Sequence, residues 1–500
     1  MERAVRILRN PVFVIAAVTV LAGAVRFANL SYPPTLVFDE TYYAKDACLY
    51  LSEPAKDCGL ELPNEQSWVH PPLGKWMIAG GEALFGAQIE GPEKAPFGWR
   101  FSSAVAGTAT VALTAILALV LTRSVLWAAI AGLLLATENL SFVMSRMSML
   151  DVFLGLFVVA GYLCLAMDRR WIERQEPPPE PAEDADALQS LGPGAMAAQE
   201  FAVGDRAVPE TPREVPSPLL RPWRLWTGVF LGAGTAVKWS GATALLGAVL
   251  LSFIWEVTRR RRAGRPRPVW ESISQESFGI LLFLALAPIL VYLSTYLVWL
   301  NDHDFGRHPA RSLAALWRHH DLIADFHWNL EAFKDNGDPT HPYQSRAWTW
   351  LFMARPVSYF YEGGTGTAAE ILGMGNPAIF WGSLIAVPTT IVLAWRRRDW
   401  TLWLVATGFL IQYVPWLPVN RPIFLFYMVP VAPFMVLAAV LALRRLADIR
   451  TATGAQPFAA AAGLLVGISI TLFAFFYPIL VGTTVSTDAW KARIWFPSWV

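Results

Sequence analysis

Eleven apolar stretches follow one another along this 500-residue chain, and they constrain its fold more than any other feature. They lie near 11–30, 100–121, 125–143, 150–167, 225–237, 241–257, 278–299, 377–394, 400–416, 422–443 and 457–480. Most approach the roughly 20 residues that an α-helix needs to cross a bilayer. The fifth and sixth form one apolar block broken by Lys238-Trp239, which reads as two short helices meeting at a membrane surface. Basic clusters orient the set. Arg3/Arg6/Arg9, Arg123, Arg169/Arg170, Arg259–Arg262, Arg396–Arg398 and Arg444/Arg445 should share the cytoplasmic side. Eleven spans satisfy all six groups and put the N-terminus inside and the C-terminus outside. The expected fold class is an all-α polytopic membrane protein.

Composition agrees. The chain is 55% hydrophobic and only 16% charged, against about 25% charged in an average soluble domain. Forty Lys and Arg nearly balance 39 Asp and Glu, whereas a nucleic-acid binder needs a basic face. The first 30 residues carry three arginines before an apolar run, as a signal peptide would. The apolar character continues to Leu30 with no small-residue cleavage pattern and no soluble domain behind it, so the run reads as a retained first span. Of the three cysteines, Cys48 and Cys58 share a polar loop and Cys164 lies in an apolar run. A Cys48–Cys58 bridge and two free thiols are both open from sequence.

This topology divides the chain into a membrane domain, 1–167, with a first extracytoplasmic loop at 31–99, and a second membrane domain, 225–500, with a second extracytoplasmic loop at 301–376. Between them lies a cytoplasmic segment, 168–224. Its ten prolines and its acidic run EPPPEPAEDADA mark a disordered linker in which no chemistry is expected. The outer loops are rich in Trp, Tyr, His and paired charges, so the functional residues are sought there. No Walker A loop or GxGxxG is present, which argues against a nucleotide substrate. Transporters place charges near mid-bilayer and show inverted repeats. Here the charges stand at span ends, and no repeat is evident.

Several residues could do chemistry at that outer surface. Asp39-Glu40, in LVFDETYYAKDA, follow the first span directly. A carboxylate partly desolvated there gains basicity and can take a proton from a hydroxyl, unless it only caps a helix. In WVHPPLGKW, His70 and Lys75 could face a phosphate, unless the segment is an interfacial belt with a snorkelling Lys. Arg146, in SRMSMLD, falls outside against the positive-inside trend. It fits an anion, or a structural pair with Asp151. Lys238 and Arg421 are charges at the outer ends of apolar stretches. Six of the seven histidines lie between His303 and His341, and His320 and His327 share a helix face. No spacing demands zinc. No cofactor is indicated, and a divalent cation is left open. HPYQSRAWTW adds His341 and Tyr343. Basic groups and a carboxylate pair thus gather at the depth of a lipid-linked phosphate.

The chain resembles the protein O-mannosyltransferase family in its shorter bacterial form. The resemblance rests on FDETYYAKDA, HPPLGKW, SRMSMLD, GTAVKWSG, HPYQSRAWTW with RPVSYFY, and GNP at Gly375–Pro377, in the family's order. It covers nearly the whole chain. The second outer loop is too short for the β-trefoil MIR domain of eukaryotic members. The resemblance implies the C-type glycosyltransferase fold and transfer of mannose, with inversion, from polyprenyl-phosphate-mannose to Ser or Thr of exported proteins. The acceptors would be unfolded or translocating, near the secretion translocon, and the location a bacterial plasma membrane with the active site outside. It implies Asp39 as base. Glu40, His70, His341 and Tyr343 would position the acceptor and site, and Arg146, Lys238, Arg421 and Lys75 would bind the donor phosphate. Another C-type transferase, moving a different lipid-linked sugar to a glycan or lipid, is the alternative.

Overall fold

The structure is a computed structural model. It describes all residues except 1–9, 52–53, 55, 62–67, 90–93, 176–216, 218, 335 and 452–453. The apolar stretches fold as helices: α1 (Pro11–Phe27), then α2 (Glu40–Tyr50) and α3 (Leu73–Phe85) in the first outer loop, and α4 (Pro96–Thr122), α5 (Val125–Ala136), α6 (Asn139–Met144) and α7 (Leu150–Gln175). After the acidic segment come α8 (Pro222–Val237), α9 (Gly241–Arg262) and α10 (Pro268–Ser294). Next come α11 (Leu297–Asp302) and α12 (Pro309–Asn329), and α13 (Pro377–Arg397), α14 (Trp400–Tyr413), α15 (Ala432–Ala447) and α16 (Ala461–Val481) follow. Among the described residues, six helices are long and apolar enough to cross a membrane; α1 and α5 are apolar but shorter.

Local sequence sets the boundaries. Proline opens α1, α4, α8, α10, α12 and α13, where its missing N–H costs nothing. Pro430 and Pro433 delay α15 to Ala432, although the apolar run begins at 422. The residues before it hold only a short 3₁₀ turn, Leu425–Met428. Small residues let helices close up: a Cβ at Gly228 or Gly232 of α8 would strike the backbone of Phe283 or Pro288 in α10.

Two expectations need correction. The protein is not all-α. Between α12 and α13, β1 (Val357–Gly364) and β2 (Thr367–Gly373) form a hairpin, and β3 (Val485–Ser486) extends it in the order β1-β2-β3. Phe360 and Tyr361 favour a strand, and Gly366 at φ +76° makes the turn. The helix α7 also runs to Gln175, past residue 167, because WIERQ continues it in polar, helix-forming residues. The acidic segment lies largely outside the described residues. Its described flanks meet: Arg221 pairs with Asp168 at 2.5 Å and Glu256 at 2.6 Å, and Arg224 pairs with Glu276 at 2.9 Å.

Candidate active site

The site grows from the turn before α2. Asp39 precedes the helix, but its side chain makes no capping hydrogen bond. Instead it accepts one from the Tyr43 hydroxyl, 3.3 Å away and one helical turn on. Burial pushes the Asp39 carboxyl up to about 6, opposed by the Lys238 ammonium, aided by Asp151, and opposed by the Tyr43 bond. Asp39 thus titrates near neutral pH beside a fixed cation.

Its neighbour does different work. Glu40 is fully buried and accepts from Arg100 Nε and Nη2, both at 2.9 Å, and from the amides of Val37 and Ser148, both at 3.0 Å. Arg100 also donates to the carbonyls of Pro33 at 2.8 Å and Thr35 at 3.0 Å. This charge-assisted knot ties the start of the outer loop to α4 and to the turn before α7. It fixes the backbone that carries Asp39.

The cations divide into two sets. Lys238, in the break between α8 and α9, donates to both oxygens of Asp151 at 3.0 and 3.1 Å and lies 4.2 Å over the Tyr427 ring. It lines a cavity of about 220 Å³ with His70, Trp239, Ser240, His327, Trp416 and Arg421. Arg421 stands 5.8 Å over the Trp416 ring. Arg146 and Lys75 are not among the lining residues. Arg146 donates to the carbonyls of Val25, Arg26, Ala28 and Asn29 at 2.6–3.3 Å, closing the C-terminal end of α1, whose last carbonyls lack helical partners. Lys75 is buried against Asp46 at 3.0 Å. Asp151, weighed in the sequence as a partner for Arg146, pairs with Lys238 instead.

Two histidines shape the cavity wall. The rings of His70 and His327 lie 5.3 Å apart. His327 Nε2 donates to the Val69 carbonyl at 3.1 Å, which leaves Nδ1 as the acceptor in the neutral ring. That nitrogen is buried with no hydrogen-bond partner among the described residues. Burial and then the Arg421 charge hold His327 down at about 4. Burial, then Lys238 and His327, hold His70 well below its ordinary range. Both imidazoles are neutral at pH 7, so Lys238 and Arg421 carry the positive charge of the wall.

His341 and Tyr343 take a third position. His341 packs edge-on against Phe38 at 5.4 Å and Phe424 at 4.8 Å, and its Nδ1 accepts the Tyr343 amide at 3.2 Å. His341 buttresses the residue before Asp39, Tyr343 packs on His341, and neither lines the cavity. Tyr43, Tyr427, Trp239 and Trp416 were not singled out from sequence. Only Tyr43, four residues after Asp39 on a helix, carried a local signal. Cys48 and Cys58 are bonded to each other, and Cys164 is buried. Among the described residues no three His, Cys, Asp or Glu side chains gather as metal ligands.

Comparisons with known proteins define the class and then the family. A family model described as dolichyl-phosphate-mannose-protein mannosyltransferase matches residues 16–177. Another, for the C-terminal four-transmembrane region of protein O-mannosyltransferase, matches 313–499. The structure is similar to that of the Saccharomyces cerevisiae protein O-mannosyltransferase Pmt1-Pmt2 complex bound to the sugar donor. The TM-score is 0.74 at 16% identity, over 98% of this chain and 92% of that one. It is more distantly similar to ArnT from Cupriavidus metallidurans, at 0.51 and 15% identity over 94% and 76% of the two chains. The fold is that of the C-type glycosyltransferases.

The polyprenol-phosphate-mannose–protein mannosyltransferases of Mycolicibacterium smegmatis and Mycobacterium tuberculosis are each 33% identical to this chain, over 97% and 96% of it and 92% and 90% of their own lengths. The Corynebacterium glutamicum protein of that name is 28% identical over 97% of this chain and 92% of its own. The chain belongs to the protein O-mannosyltransferase family.

Proposed function

We propose that this protein transfers mannose from polyprenyl-phosphate-mannose to Ser and Thr hydroxyls of exported proteins, with inversion at the anomeric carbon. The observation that carries the reading is Asp39. It is a carboxylate relieved of capping, raised to about 6, and electrostatically coupled to Lys238, which lines a cavity together with a second cation, Arg421. In a single displacement Asp39 takes the proton of the acceptor hydroxyl. The hydroxyl oxygen attacks C1 of mannose, and the bond from C1 to the phosphate oxygen breaks. The lipid phosphate leaves with that electron pair, and Lys238 and Arg421 stabilise its growing charge. His327 Nδ1 offers an acceptor to a sugar hydroxyl. The step balances without a cofactor.

Phosphate binding is assigned to Lys238 and Arg421. Arg146 and Lys75 are given supporting roles, because Arg146 is spent on backbone carbonyls and Lys75 is paired with Asp46. Glu40 positions Asp39, His70 shapes the donor cavity, and His341 with Tyr343 supports Phe38.

The eleven helices of α1 to α16 that remain when those of the outer loops and α6 are excluded are proposed as the spans. The N-terminus is cytoplasmic, the C-terminus is extracytoplasmic, and the site faces outward from a bacterial plasma membrane. The Cys48–Cys58 bond supports this side, since disulfides persist in oxidising compartments. Cysteines introduced singly at exposed positions of 301–345 should react with an impermeant reagent in intact cells, and cysteines in 180–215 should not. The acidic linker is proposed to be dispensable for transfer, since Asp168 and Arg221 already join its flanks.

The test of function is purified protein with radiolabelled polyprenyl-phosphate-mannose and a Ser/Thr-rich peptide. Label should move to the peptide and be released by alkaline elimination. Label moving only to lipid or glycan would favour the other C-type activity and refute the proposal.

A further inference from the structure

Among the described residues, β1 pairs on one side only, with β2, whereas β2 pairs on both, so one edge of the sheet is open. The helices α16 and α6 pack on β2. From Tyr361 to Gly364 the free strand is exposed. Such an edge presents unpaired N–H and C=O groups to any extended chain. Two of these four residues are glycines, which add no side chain to obstruct it. Glycine inside a strand often marks the close approach of another backbone.

The same strand leads into the site. The Tyr359 ring packs at 5.4 Å on Phe38, the residue before Asp39. A bulge between Ser358 and Phe360 bends the strand where it enters. At about 3.3 Å per residue, Glu362 lies about 10 Å along the strand from Tyr359. A bound chain of a few residues therefore reaches from the exposed edge to the Tyr359–Phe38 contact, one residue from Asp39 in the chain.

We infer that the free edge of β1, Tyr361–Gly364, binds the acceptor polypeptide as an added extended strand and so delivers its Ser or Thr hydroxyl to Asp39. This rests on the reading of the protein as a protein mannosyltransferase. Recognition of this kind uses main-chain hydrogen bonds. It is tolerant of sequence and available only to unfolded segments. Glu362 adds one preference: an acidic side chain directly opposite it is repelled, so acidic residues at that register make poorer acceptors.

The test uses the unaltered enzyme and a Thr-containing acceptor peptide methylated on backbone nitrogens. In an added strand only alternate N–H groups point at β1. Methylation of one alternating set flanking the Thr should raise KM roughly tenfold or more, as for loss of about two hydrogen bonds. Methylation of the other set should change it little. Equal use of both methylated peptides would overturn the inference. If the unmethylated peptide takes no mannose, the parent reading fails and the inference with it. A second arm places a thiol on the edge as Glu362→Cys, with Cys48 and Cys58 bonded and Cys164 buried. An acceptor whose Cys is activated as its thionitrobenzoate disulfide should be captured by thiol–disulfide exchange, with thionitrobenzoate as the leaving thiolate, and excess plain acceptor should prevent this. Capture unaffected by competitor, or no capture, would count against the edge.

Discussion

Replacing Asp39 with Asn separates a base from a structural residue. The change is nearly isosteric, and the Asn carbonyl can still accept from Tyr43 at the 3.3 Å position. Asp39 caps nothing, so α2 loses no terminal hydrogen bond. The backbone around position 39 is held by Glu40 and Arg100, which the variant leaves intact. Lys238 keeps its partner Asp151. Melting temperature and donor binding should therefore be close to wild type. Transfer should not: loss of a positioned general base costs roughly 10²–10⁴ in rate, equivalent to ~3–5 kcal/mol of barrier. The assay is single-turnover transfer of radiolabelled mannose to peptide with donor saturating, alongside donor binding and thermal unfolding. A folded Asp39→Asn enzyme within threefold of wild type would remove Asp39 from the chemistry.

Four further outcomes follow from the site. Transfer rate should rise with pH through about 6 as Asp39 ionises. For folding the sign is opposite: a carboxyl raised above its unfolded value of about 3.9 binds its proton more tightly in the fold. Its stabilising contribution is complete below that value and declines as pH passes about 6. Both dependences should be absent from Asp39→Asn, as rate–pH and melting–pH profiles will show. Arg146→Ala should lower the melting temperature, because carbonyls at the end of α1 lose their donor. Arg421→Ala should weaken donor binding, by roughly 1.5–3 kcal/mol for a lost charge-assisted contact, with melting unchanged. Lys238→Met alone should destabilise the protein by leaving Asp151 buried and unpaired. Adding Asp151→Leu should restore melting but not transfer.

The long apolar helices were legible because bilayer thickness writes itself into run length. Asp39 stood out as a candidate because it follows the first apolar stretch directly in polar sequence. What separated Arg146 from Lys238 was not. Both are lone cations at the ends of apolar stretches, and their difference lies in partners far along the chain. Arg146 meets carbonyls more than 100 residues earlier, and Lys238 meets an acid 87 residues away. Glu40 was legible as part of an acidic pair but not as the acceptor of a buried arginine 60 residues on. The sheet was hidden because RPVSYFY reads equally as an aromatic membrane-interface segment. Its pairing depends on a hairpin turn and on two residues contributed after α16.

The most direct test of the central claim is a structure of the protein with polyprenyl-phosphate-mannose bound. The account predicts the phosphate within hydrogen-bonding distance of Lys238 or Arg421, in the cavity beside His70 and His327, with the anomeric carbon turned toward Asp39. A phosphate seated on Arg146 or Lys75, or a sugar facing away from Asp39, would contradict it.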